Sequence, residues 1–283
     1  LRAHQGLTAL NKTMQNNDAQ NPPQEVIDQL VNLYNQKQFS VVVEQAHALT
    51  EQYPEAFVVW NIIGASTAQI GKLDEAIESY NKALSLKPNY AEAYNNMGLT
   101  LKDQGKLDEA IESYNKALSF NPNYAEAYSN IGVALQDQGK LDEAIEVCNK
   151  AVSLKPDYAE AYNNMGGALK HQGKLDEAIE AYNKALLLKP NYADAHLNLS
   201  ITLLNSGKLH EGFDEYEWRW KTKKFLSQER HFLQPSWDKK ISLNGKRILL
   251  WCEQGIGDTL NWSSCLSLVT SHAKNCILEC QEN

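Results

Sequence analysis

The chain contains few cysteines, and it arranges neither these nor its histidines in a metal-binding pattern. Its 283 residues include five cysteines without a CxxC pair and seven histidines without an HExxH motif. Such motifs bring several ligands to one metal ion, so the sequence predicts no metal site. An odd number of unpatterned thiols is typical of a reducing compartment, and we expect a cytoplasmic protein.

Long apolar runs are also absent from the sequence. No stretch reaches the about 20 apolar residues that a membrane-spanning helix needs, and no signal-peptide pattern opens the chain. A formal net charge of −8 argues against a general affinity for nucleic acid, whose phosphates attract lysine and arginine. We therefore expect neither a membrane span nor a nucleic-acid partner.

The sequence does contain a block of 34 residues that recurs almost verbatim. Three copies follow one another from Ala91, and five prolines from Pro54 to Pro190 stand 34 residues apart. Self-similarity at this period is typical of a helical solenoid, in which each supersecondary unit packs on the next. The register predicts six units, of which the first and last are degenerate: 23–56, 57–90, 91–124, 125–158, 159–192 and 193–226.

Each unit is predicted to contain two helices. In the third unit, Gly105 is placed to end the first helix in a left-handed conformation, and the carboxylates after Leu107 suit the positive end of the second. Gly98 is small, which lets the two helices approach closely. Pro122 ends the unit because proline cannot continue a helix. In the fourth unit Cys148 replaces a tyrosine of the sister units, so we expect it to be a buried packing residue.

The markers Gly98, Ala110, Ala117 and Pro122 of the third unit resemble the pattern of the tetratricopeptide repeat. The resemblance implies an all-α fold, a right-handed superhelix whose concave groove is lined by the first helix of each unit. It also implies a scaffold for protein–protein interaction that binds an extended peptide or a partner's helix in that groove. A scaffold that only spaces or oligomerises the protein, without a peptide ligand, is the alternative.

Four consecutive units carry asparagine at their sixth position, and this column resembles the asparagine ladder of the eukaryotic O-GlcNAc transferases. The resemblance implies that the amides hold the backbone of an extended peptide, since an amide offers both a donor and an acceptor. Alternatively, duplication copied every residue, whether useful or not. The candidate peptide-binding residues are the column itself, an asparagine of the second unit and three variable neighbours for selectivity: Asn96, Asn130, Asn164, Asn198, Asn61, Asp103, Asp137 and His171.

The repeat pattern stops after Lys224. Two short apolar runs, Ile248–Cys252 and Cys276–Cys280, are typical of buried strands, and a turn with Gly255 and Gly257 opens a helical stretch between them. This order predicts a β-α-β unit of an α/β domain. Free N–H groups at such a turn suit phosphate or a developing oxyanion, so the two glycines are candidate anion- or sugar-binding residues.

The EGFDEYEWRWK stretch and the EQGIGDTL turn resemble bacterial proteins that join tetratricopeptide repeats to a glycosyltransferase-like domain similar to the heptosyltransferases. The resemblance implies that Asp258 deprotonates an acceptor hydroxyl in an intact enzyme that binds a nucleotide-sugar donor. Helix capping is the alternative role of Asp258. The chain lacks a donor-binding half and begins with Leu, so we expect a piece of a longer protein that by itself binds no cofactor and catalyses no reaction.

Charge divides the chain unevenly. Residues 217–247 contain nine Lys or Arg and three acidic residues, a net charge of +6, which leaves −14 for the remainder. Such a basic segment either docks on an anionic surface or is a solvated linker. We expect Trp218, near this junction, to be a packing residue. The predicted organisation is a flexible lead-in, a solenoid, a basic linker and a truncated α/β fragment: 1–22, 23–226, 227–245 and 246–283.

Overall fold

The computed structural model of the protein describes residues 21–222, together with the backbone of residues 247–251 and 275–279. The chain divides into two compact units, Leu1–Trp218 and Arg219–Asn283. Most of the predicted lead-in and the whole predicted basic linker lie outside the described residues.

Twelve α-helices form the described part of the first unit, two for each predicted repeat, and neighbouring helices pack in chain order. The helices are α1 (Gln24–Asn35), α2 (Phe39–Gln52), α3 (Phe57–Gln69), α4 (Leu73–Leu86), α5 (Ala91–Asp103), α6 (Leu107–Phe120), α7 (Ala125–Asp137), α8 (Leu141–Leu154), α9 (Ala159–His171), α10 (Leu175–Leu188), α11 (Ala193–Asn205) and α12 (Leu209–Tyr216). The predicted all-helical solenoid is confirmed over these residues.

Local signals set the helix ends as predicted. Gly105 has a φ of 79°, and this left-handed residue lets the Lys106 N–H donate back to the Leu101 carbonyl at 2.9 Å. The second helix then begins at Leu107 with two acidic residues in its first turn, which the helix dipole favours. It ends at Phe120, shortly before Pro122.

The two helices of a repeat pack through a glycine of the first and a large residue of the second. A Cβ atom on Gly98 would lie only 2.6 Å from Cε1 of Tyr114, whose ring is fully buried. In the fourth repeat Cys148 takes the place of that ring beside Gly132 and is equally buried. Its predicted packing role is confirmed, and burial raises the pKa of its thiol to about 12.

The sixth repeat differs from the prediction in its second helix. This helix, α12, has 8 residues where α10 has 14, and the chain continues as a 3₁₀ helix, Glu217–Lys221. The repeat register places Arg219 where the fifth repeat has Ala185, which is fully buried. An arginine side chain is much larger than the methyl group of alanine, and Arg219 lies in the 3₁₀ helix instead of continuing the α-helical packing of the earlier repeats.

Two strands are described in the second unit. They are β1 (Arg247–Trp251) and β2 (Asn275–Glu279), which pair in parallel with Leu249 opposite Ile277. Each strand begins one residue earlier than predicted. The predicted helix between them, with Gly255, Gly257 and Asp258, lies outside the described residues, so the β-α-β unit stays a prediction.

Candidate functional site

The first helices of repeats three to six lie next to one another and present equivalent positions to the same side. At about 100° per residue, positions 2, 6, 9, 12 and 13 of a helix fall within an arc of about 120°. We name this surface the first-helix face. It consists of Glu92, Asn96, Leu99, Lys102, Asp103, Glu126, Asn130, Val133, Gln136, Asp137, Glu160, Asn164, Gly167, Lys170, His171, Asp194, Asn198, Ile201, Leu204 and Asn205.

Nearly all of this face is open to solvent. Of its twenty residues, only Asn96 is classed as buried, at 8 % exposure, and the others are partly or fully exposed. The cores of the repeats, by contrast, consist of fully buried residues such as Tyr114 and Ala117. The first-helix face is therefore a continuous accessible surface that crosses four repeats.

The asparagine at position 6 links each repeat to the preceding one. Its Nδ2 donates a hydrogen bond to the side-chain oxygen at position 5 of that repeat. The four donor–acceptor pairs are Asn96 to Asn61 at 3.2 Å, Asn130 to Asn95 at 2.9 Å, Asn164 to Ser129 at 2.9 Å and Asn198 to Asn163 at 3.0 Å.

These bonds satisfy polar groups that the stacking of repeats buries. The acceptor residues have exposures of at most 8 %, and a buried polar group without a partner costs about 1–3 kcal/mol. The structure thus assigns the asparagine column a structural role that sequence reasoning missed. The adjacent asparagines Asn95-Asn96 and Asn163-Asn164 were the available signal, because each pair serves two neighbouring repeats.

Each bond leaves part of the donating amide unused. The bond uses one of the two side-chain N–H groups of the position-6 asparagine and does not involve its side-chain carbonyl oxygen. Asn130, Asn164 and Asn198 remain partly exposed. Asn61, the fifth predicted asparagine, is fully buried between Asn96 and the Tyr90 hydroxyl, so its side chain offers no surface to a ligand.

The three predicted selectivity residues lie together on the first-helix face. Asp103, Asp137 and His171 are each the last residue of a first helix, and all three are exposed. Asp103 forms an ion pair with Lys102, with 2.9 Å between Oδ1 and Nζ. Within the described part of the chain, the side chains of Asp137 and His171 form no hydrogen bond and no ion pair.

The glutamates at position 2 of repeats four and five form ion pairs within their own repeat. Lys155 bonds Glu126 and Lys189 bonds Glu160, both at 2.8 Å, from the end of the second helix to the start of the first. The third repeat has Asn121 at the place of these lysines. Among the described residues, Glu92 consequently has no ion-pair partner.

Two features are absent from the described residues. None of their helices is long and apolar enough to cross a membrane. No group of three or more His, Cys, Asp or Glu within residues 21–222 is placed to bind a metal ion.

Sequence models of one repeat family match this chain. A model described as "TPR repeat" matches residues 65–105 and 98–139, and one described as "Tetratricopeptide repeat" matches 125–158 and 159–192. The last two ranges coincide with the predicted fourth and fifth repeats. Within residues 65–192 the repeated units are therefore tetratricopeptide repeats, as the residue pattern predicted.

Two curated proteins are similar over a short stretch. They are the peroxisomal targeting signal receptors of Kluyveromyces lactis and Candida albicans, which are 35 % and 33 % identical to this chain over 60 residues. That stretch is 21 % of this chain but only 11 % and 10 % of the two receptors.

Solved structures share the fold at low sequence identity. PilW, a type IV pilus biogenesis factor, has a TM-score of 0.62 and 20 % identity, and the match covers 71 % of this chain and 94 % of PilW. The pilF protein of Pseudomonas aeruginosa has a TM-score of 0.59 and 17 % identity, with 73 % and 92 % covered. At these identities the likeness shows a common helical-repeat fold.

Proposed function

We propose that this chain, whose residues 65–192 form tetratricopeptide repeats, is an interaction scaffold that holds an extended segment of a partner protein along the first-helix face. Solenoids of this kind present long surfaces for other proteins. The curated relatives are named as receptors for a targeting signal, which agrees with recognition of a protein segment by such repeats. The proposal depends on the residues of the face itself.

The observation that carries the proposal is the state of Asn130, Asn164 and Asn198. Each amide is held in place by its bond to the preceding repeat and keeps an unused carbonyl oxygen and N–H group. Those two groups match the N–H and C=O of a peptide bond. Because the amides are already ordered, a ligand does not lose the free energy of ordering them.

The spacing of the amides also suits an extended chain. Packed helices lie about 8–10 Å apart. An extended peptide advances about 3.3 Å per residue. Successive asparagines therefore meet about every third residue of a ligand that runs across the repeats, which favours an extended peptide over a partner's helix.

The test uses degenerate nonapeptide pools and four alanine variants. Asn130→Ala, Asn164→Ala and Asn198→Ala each remove an inter-repeat bond and a partly exposed amide. Asn96→Ala is the matched control, since it removes the same kind of bond from a side chain that is only 8 % exposed. Binding of the fluorescent pools is measured by polarisation, and stability by urea unfolding.

We expect all four variants to lose similar stability, and the three exposed ones to lose several-fold more affinity than Asn96→Ala. Equal affinity losses in all four would show that the column only joins repeats, and the proposal would be wrong. Failure of the wild-type protein to bind any pool would favour a scaffold that only spaces or oligomerises the protein.

The parallel pairing of β1 with β2 favours a second candidate function for a longer protein that contains this chain. In that case the repeats recruit an acceptor protein for a glycosyltransferase. Gly255 and Gly257 bind the anionic part of a sugar substrate, and Asp258 activates the acceptor hydroxyl. The test is transfer of labelled sugar from nucleotide-sugar donors by the product of the full reading frame, with Asp258→Asn as the variant that must lose it.

A further inference from the structure

Lys170 differs from the equivalent residues of the other repeats. It occupies position 12 of α9, where the third repeat has Lys102 paired with Asp103 at 2.9 Å. In the fifth repeat the residue after the lysine is His171, so this local carboxylate is missing. Within residues 21–222, the ammonium group of Lys170 forms no hydrogen bond and no ion pair.

The environment of Lys170 makes an unpaired ammonium unfavourable. The side chain is half-buried, and burial lowers its pKa from the ordinary value for lysine. A charge that is partly removed from water without a counter-ion is destabilising. An anion brought to this place from outside would offset that cost.

Next to Lys170, position 9 of its own helix contributes no side chain. Gly167 precedes Lys170 by three residues, and residues three apart are neighbours on a helix surface. Position 9 carries leucine, valine and isoleucine in the other repeats of the face, whereas glycine adds no side chain. The atom nearest to a Cβ built on Gly167 is the side-chain oxygen of Gln136, at 2.9 Å. This neighbour is the end of a flexible side chain that is able to move.

We propose that Lys170 binds a carboxylate of the segment held on the first-helix face, in a subsite next to Gly167. The inference rests on the proposed function, because it names the chemistry of one residue of that ligand. An aspartate or glutamate side chain and the carboxyl terminus of the ligand share this chemistry, and the experiment separates them.

The experiment measures binding of three degenerate nonapeptide pools to the whole chain. The first pool has a fixed central glutamate and an amidated end, the second a central glutamine and an amidated end, and the third a central glutamine and a free carboxyl end. We expect the wild-type protein to prefer a carboxylate pool by about 1.5- to fivefold, as a single partly exposed ion pair gives. The preference is expected to weaken as sodium chloride is raised.

Variants identify the responsible cation. Lys170→Gln is expected to abolish the preference and Lys170→Arg to keep it. Lys102→Gln is the matched control, since Lys102 already has Asp103 as its partner, and it is expected to keep the preference. If Lys170→Gln does not fold, the salt dependence in the wild-type protein and the behaviour of Lys170→Arg and Lys102→Gln still decide the question.

The outcomes separate the two proposals. A preference for the third pool that depends on Lys170 supports the subsite and assigns it the carboxyl terminus of the ligand. Equal binding of all pools, or a preference that survives Lys170→Gln, overturns the subsite and leaves the proposed function standing. If the wild-type protein binds none of the pools, the proposed function fails, and the subsite fails with it.

Discussion

The imidazole of His196 lies flat on the indole of Trp218, with ring centroids 3.8 Å apart and planes 8° apart. Repeats two to five have tryptophan or tyrosine at the position of His196. The histidine also bonds the Glu215 carboxylate through Nδ1 and the Pro190 carbonyl through Nε2. The His196 side chain of α11 thereby contacts α12, the 3₁₀ helix and the loop before α11. The packing role predicted for Trp218 is confirmed.

Replacing His196 is expected to destabilise the last repeat. His196→Ala removes a stacked ring and leaves the Glu215 carboxylate without that donor, so we expect the free energy of unfolding to fall by about 1–3 kcal/mol. Urea unfolding measures the loss, and amide hydrogen exchange locates it in α11 and α12. His210→Ala is the control, because the side chain of His210 is 92 % exposed and its loss is expected to change little. Equal effects of the two changes would contradict the prediction.

Asn121→Lys is expected to stabilise the third repeat. A lysine at position 121 is equivalent to Lys155 and Lys189 in the repeat register. It is expected to form with Glu92 the ion pair that the fourth and fifth repeats have. Because the pair is partly exposed, we expect a gain of about 0.2–1 kcal/mol in thermal or urea unfolding. The gain should disappear when Glu92→Gln is added. A gain that persists without the carboxylate would have another origin.

Two glycines on first helices are expected to respond oppositely to alanine. Gly98→Ala places a Cβ 2.6 Å from the ring of Tyr114, which is fully buried and has no space to move, so we expect a loss of about 1–3 kcal/mol or more. Gly167→Ala meets only the end of the Gln136 side chain at 2.9 Å. Alanine favours a helix over glycine by about 1 kcal/mol, so we expect this variant to be neutral or more stable. Calorimetry of both variants is the measurement, and similar losses would contradict the packing described.

Cys148 is expected to resist alkylation while the protein is folded. Burial raises the pKa of its thiol from 9.0 to about 12, so at pH 8.5 the folded state holds very little of the reactive thiolate. Site-resolved mass spectrometry after iodoacetamide treatment should find Cys148 modified only in denaturant. Between pH 9 and about 12 the unfolded chain releases this proton and the folded chain keeps it, so the contribution of Cys148 to stability falls as pH rises. Rapid labelling of Cys148 in the folded protein would contradict its burial.

The helical architecture was predictable because its signals act over a few residues. Gly105 ends a helix through its own backbone conformation, and the acidic residues after Leu107 act on the turn in which they stand. The 34-residue period repeats these local signals along the chain, so in repeats three to five every first helix has 13 residues and every second helix has 14. The second helix of the sixth repeat broke this rule where Arg219 replaced an alanine.

The site was predictable only in part. The sequence placed Asn130, Asn164 and Asn198 in one column, and the structure keeps them on one exposed face. It did not predict that each amide bonds a side chain 35 residues earlier, or that Asn61 is buried by the same arrangement. Composition and period alone do not tell which side of a polar residue faces a neighbouring repeat.

By itself the sequence determined the number of repeats, the ends of most helices and the small residues at which helices approach one another. These features follow from backbone preferences and side-chain size, which are properties of each residue and its near neighbours. Only the tertiary structure decided which side chain of the preceding repeat each position-6 asparagine bonds, that Lys170 is partly buried, and that His196 stacks on Trp218. Those pairings depend on the angle and distance at which one repeat stacks on the next, and these are set by the packing of all the buried side chains together.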